Sequence, residues 1–131
     1  MIDALMTVPD VLITQVHSHH HICLEYGQHQ AVVYQQASVA TLLVRVNLNN
    51  PEACRISGIN LQLIGLCTGP HLALVLHDAH WCLAQVIRPE WQFTDESDQR
   101  CFMTQFAVAT WLENEFRQQV NDAPVNPGFE V

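Results

Sequence analysis

Lysine is absent from this chain: its five basic residues, Arg45, Arg55, Arg88, Arg100 and Arg117, are all arginines and stand singly. Against 13 acidic residues they leave a formal net charge of -8. With no basic stripe to displace counterions from phosphates, the composition argues against a nucleic-acid surface and against attraction to an anionic membrane. A cationic or apolar partner fits better. Charge of either sign is scarce at 14% of 131 residues while 49% are hydrophobic, which excludes a solvated disordered chain and leaves apolar surface to spare.

Long apolar runs are missing too, and the start, MIDALMTVPDVLITQV, has neither the basic n-region nor the unbroken h-region of a secretory signal. A cytoplasmic, non-inserted protein is expected. There is no CxxC pair: Cys23, Cys54, Cys67, Cys82 and Cys101 form an odd set, each within an apolar stretch, and read as reduced core fillers. Nor is there a GxSxG elbow, a Walker A motif or a GxGxxG loop.

What is present reads as one α+β domain over residues 1–131. Ile2, Leu5 and Met6 have helical spacing, Pro9 interrupts, and Val11, Leu12, Ile13 and Val16 suggest a restarted helix. From His19 the period changes to two. Ile22, Leu24 and Tyr26 share a face, Gly27-Gln28 offers a turn, and HQAVVYQQ returns as the second strand of a hairpin. In TLLVRVNL, Leu42, Val44, Val46 and Leu48 alternate with Thr41, Leu43, Arg45 and Asn47, giving one core face and one partly wet face.

Asn50-Pro51-Glu52 reads as the start of a helix running to about Gly65, with asparagine as the cap and proline in the first turn. Ile56, Ile59 and Leu63 line it, and Gly58 in its middle costs roughly 1 kcal/mol against alanine, which suggests close approach by another backbone. HLALVLH and WCLAQVIR form a second hairpin across Asp78-Ala79-His80. A last helix from Asp95 to about Val120 buries Phe102, Phe106, Ala109, Leu112 and Phe116. The expected architecture is a mainly antiparallel five-stranded sheet with three helices, in the order α-β-β-β-α-β-β-α, with 121–131 as a proline-rich flexible tail.

The chemistry-bearing residues do not assemble into a catalytic set. His17, His19, His20 and His21 crowd next to Cys23, but on a strand His19, His21 and Cys23 face one way and His20 the other. A closed four-ligand site needs His71, His77 or His80 as well, so the segment reads as a polar strand end that meets metals adventitiously, and no metal or cofactor is assigned. His77-Asp78-Ala79-His80 reads as turn chemistry. Cys-His catalysis needs an exposed, electropositive thiol, which apolar runs of an acidic chain do not offer. Glu113 and Glu115, two apart on a helix, make no acid/base pair. More informative is the excess of apolar and aromatic side chains on both strand faces, Tyr26, Tyr34, Leu43 and Trp81 among them, with Trp91 as a further candidate anchor; as a set they favour a binding surface.

In element order, size and acidity, in GPHLALVLHDAHWCLAQVIRP as the second hairpin, in FMTQFAVATWLENEF as the last helix and in the short tail ending GFEV, the chain resembles the class I type III secretion chaperones. These are small acidic bacterial proteins that hold effectors before export. The resemblance covers most of the chain and is one of layout rather than strict motif; Pro9 in the first helix and the histidine cluster depart from it. It implies a homodimer in the bacterial cytoplasm, its middle helix at the two-fold, with Ile56, Gly58, Ile59, Leu63 and Trp81 at the seam. It also implies a non-enzymatic role in virulence, binding the unfolded N-terminal segment of an effector through Leu24, Tyr26, Val32, Tyr34 and Leu43. Two other functions stay open on the residues alone: a small metal- or cysteine-dependent enzyme built on the histidine cluster, and a dimeric protein that binds a folded regulator.

Overall fold

The computed structural model describes residues 5, 8–18, 20–36, 39–48, 51–64, 71–87 and 96–122. Their elements are β1 (Val11–Ser18), β2 (His21–Tyr26), β3 (His29–Gln36), β4 (Val39–Arg45), α1 (Ala53–Ile64), β5 (Leu72–His77), β6 (His80–Ile87) and α2 (Glu96–Asp122). The strands form one sheet in the order β1-β2-β3-β4-β6-β5, and every neighbouring pair is antiparallel. The α+β class holds, with six strands rather than five and two helices among the described residues. The helix expected before Pro9 falls mostly outside those residues, as do Trp91 and the tail over 123–131; Leu5 and Val8, the described residues before Pro9, are both buried.

The sixth strand corrects the restarted helix. Asp10 has φ 66, which turns the chain out of the right-handed region directly after Pro9. Val11, Ile13, Thr14 and Val16 are β-branched, so they lose rotamer freedom in a helix and fit a pleated surface. The segment accordingly pairs with β2, with register shifts between Ile13 and Gln15 and between Val16 and Ser18.

Two rows of cross-strand neighbours make the inner face of the sheet. One runs Leu24, Ala31, Val44, Leu83, Leu74; the next runs Ile22, Val33, Leu42, Gln85, Leu72. All ten are buried. Onto them α2 lays Phe102, Phe106, Ala109, Leu112 and Phe116, the stripe its 3.6-residue period requires, and α1 adds Ile56, Ile59 and Leu63. Each large apolar side chain so buried contributes about 1.5–3 kcal/mol.

Side chains fix the helices to the sheet. Gln105, buried on α2, donates from Nε2 to the carbonyls of Leu42 (3.0 Å) and Leu83 (2.8 Å), spanning the neighbouring strands β4 and β6. Asn60 on α1 accepts the Leu74 N–H at 2.8 Å and donates to its carbonyl at 3.3 Å, taking up backbone groups of the outermost strand β5. At the start of α1, the Glu52 carbonyl accepts from the backbone N–H groups of Arg55 and Ile56. Glu52 therefore occupies the cap position, with Pro51 just outside the helix; Asn50, the expected cap, lies outside the described residues.

The hairpin turns follow from residue chemistry. Gly27 has φ 61, the left-handed first position of a two-residue β2–β3 turn. Between β5 and β6, Asp78 (φ 50) and Ala79 (φ 63) are both left-handed, the mirror-image turn that matches strand twist.

Candidate functional site: the outer sheet face and the β1–β2 edge

Both described helices lie on the inner face. The opposite face carries Val32, Leu43, Ala84 and Ala73 in one row and His21, Tyr34, Thr41 and Val86 in the next. No described helix packs over it, and Val39 and Val86 are exposed at its end. Leu43 and Cys82 are nevertheless buried there. Burial pushes the Cys82 thiol up from its usual range; nearby Arg45 opposes this and Asp78 adds to it. Tyr34 is also held above the usual phenol range, chiefly by desolvation and then by Asp78 and the thiols of Cys23 and Cys82. Its hydroxyl shares a 3.2 Å hydrogen bond with His77 Nε2.

At the β1–β2 edge the structure brings His17, His21 and Cys23 together, one ligating atom from each lying within 4.8 Å of the others. The His17 and His21 rings stack at 4.3 Å, and His21 stacks in turn on Tyr34 at 4.4 Å. Partial burial lowers the His21 pKa, and the neighbouring imidazoles of His17 and His77 lower it further against Asp78. Local strand parity pairs His21 with Cys23, as the sequence suggests. His17 joins from the other strand of the hairpin, which reading residues 11–16 as a helix concealed. His20 is exposed and its backbone N–H donates to Ser18 Oγ; His19 lies outside the described residues.

A third constellation was not foreseen. His29, buried at the start of β3, lies 2.8 Å through Nε2 from Thr110 Oγ1, while its Nδ1 is 3.9 Å from Glu113. The order hydroxyl, imidazole, carboxylate is that of a nucleophilic triad, but the roles fail. Thr110 Oγ1 donates its one proton to the Phe106 carbonyl at 3.1 Å, and the Glu113 carboxylate is committed to the backbone N–H of Asn47 at 2.7 Å and stands beyond hydrogen-bond reach of the imidazole. The trio ties the β2–β3 hairpin and the end of β4 to α2. A cleft of about 760 Å³ opens beside it, lined by Tyr26, Arg100, Met103 and Phe106 among others.

The residues expected to touch an effector divide between the faces. Val32, Tyr34 and Leu43 lie on the outer face, whereas Leu24 is buried on the inner one and Tyr26 packs on Phe102 and Phe106. The residues expected at a dimer seam also separate. Ile56, Ile59 and Leu63 are buried within the single chain, and Trp81 packs against the same core. Leu61 and Ile64 are the apolar side chains that α1 turns outward. Among the described residues a Cβ added at Gly58 would meet nothing within 4 Å, so none of them makes the close backbone approach suggested by that glycine. Between the helices, Ile59, Leu63, Val108 and Trp111 line an apolar groove.

Among the described residues no helix is long and apolar enough to cross a membrane. No family model, curated protein or solved structure matches this chain.

Proposed function

We propose that the chain is a secretion chaperone of the class I type III kind, acting in the bacterial cytoplasm as a homodimer that holds the unfolded N-terminal segment of an effector. The observation that carries this reading is the outer sheet face: Val32, Ala73, Ala84 and Val86, around the buried Leu43, form an apolar surface over which no described helix packs. A monomeric enzyme has no need of such a face, whereas an extended client laying alternate apolar side chains on it would bury it. The net charge of -8 favours a client segment with basic residues beside its apolar ones. From β2 onward the element order is also the one the sequence resemblance implies. For the second copy, the outward side of α1, with Leu61 and Ile64 exposed beside the Trp111 groove, is the apolar surface on offer.

Co-expression with the proteins encoded beside it tests this. The chain should purify as a dimer retaining the N-terminal part of one larger protein, and that segment should resist protease while bound. Val86→Glu, an exposed position on the outer face, should release the segment and leave the fold intact. If no segment is retained, or if retention survives Val86→Glu, the outer-face reading fails.

A further inference from the structure

We propose that His17, His21 and Cys23 form a zinc site at the β1–β2 edge, with three protein ligands and a fourth position open to solvent or to a bound partner. The donors stand on two paired strands, so the backbone already holds them in place. The register shift between Val16 and Ser18 sets Ser18 opposite His21 and leaves His17 against the His21 ring, while Cys23 follows His21 by the two residues that keep a strand side chain on one face. Zinc bound at about 2.0–2.1 Å to nitrogen and about 2.3 Å to sulfur holds tetrahedral donors roughly 3.3–3.8 Å apart. A trio already within 4.8 Å reaches that separation by small ring rotations.

The donor chemistry selects the metal. Two imidazoles and a thiolate suit zinc and are poor ligands for magnesium or calcium, which take oxygen. Solvation is graded across the site, with His17 exposed and His21 and Cys23 half-buried, so an ion can enter from the edge and still rest against the sheet. Support behind the ligands is in place: Tyr34 stacks on His21 and is itself tied to His77, which fixes the plane of the His21 ring. The site adjoins the outer face, so its open position is available to a histidine, cysteine or carboxylate of whatever lies there.

The untagged full chain, stripped with a chelator, is titrated with Zn²⁺ against a chromophoric competitor and separately with Co²⁺. One metal per chain is expected, and cobalt should show a thiolate-to-metal charge-transfer band that Cys23→Ser abolishes. His17→Ala, at an exposed position that the fold does not need, should weaken zinc by at least the roughly ten-fold that loss of even an outer-shell partner costs. His20→Ala in the same segment should leave affinity unchanged. Absence of the charge-transfer band, or zinc binding that survives both Cys23→Ser and His17→Ala, overturns the site and marks any bound metal as an adventitious ion only.

Discussion

Tyr34 and His77 meet at 3.2 Å although β4 and β6 lie between their strands. In a flat sheet, three strand intervals of about 4.8 Å would hold their backbones roughly 14 Å apart in that direction alone. The contact therefore requires the sheet to curl around its outer face, so that the β5–β6 turn leans back over β3. This explains how Leu43 and Cys82 are buried on a face that no described helix covers. The outer face is a trough.

The two buried glutamines should respond to substitution with opposite signs. Gln105 donates to two carbonyls, and Gln105→Leu should lower stability by about 1–3 kcal/mol. Gln85 is equally buried, but neither amide atom has a hydrogen-bond partner among the described residues; Gln85→Leu should raise stability by about 1 kcal/mol. Urea midpoints of the two variants, taken at one temperature, check both signs.

Ala79 occupies a left-handed position where its Cβ crowds a carbonyl, at a cost of roughly 1–2 kcal/mol that glycine avoids. Because glycine also adds freedom to the unfolded chain, the net gain expected for Ala79→Gly is about 0.5–1 kcal/mol. A thermal midpoint unchanged or lowered would argue against this turn geometry.

Cys82 should make stability fall with rising pH. Its thiol is pushed up in the folded chain, so the folded state keeps a proton that the unfolded state gives up near the ordinary thiol value of about 8.5. The stabilisation is complete below that value and is lost as pH climbs through the higher folded pKa. Wild type should therefore lose stability more steeply than Cys82→Ala above about pH 8.5. In the native chain iodoacetamide should label exposed Cys54 and spare buried Cys82.

Much of the fold was legible because it is local. The five-residue stripe of α2 and the alternation of Leu42, Val44 and Val46 against Arg45 and Asn47 are periodicities that a short window contains. The division of Leu24 from Val32 was also available, since a two-residue turn at Gly27-Gln28 pairs Tyr26 with His29 and so sets Leu24 beside Ala31. What local reading could not supply was β1. A strand begun by a left-handed aspartate and interrupted by two register shifts carries no clean period, and with it went the place of His17. His29, Thr110 and Glu113 lie 81 and 84 positions apart along the chain and have no spacing to read.

The clamp of Asn60 on Leu74 gives the sheet a direction. With α1 engaging the backbone of β5, the edge left for further strand pairing is β1, along which no described element lies. An extended client segment could therefore add a strand at β1 without displacing a helix, whereas at β5 it would first have to break the Asn60 clamp.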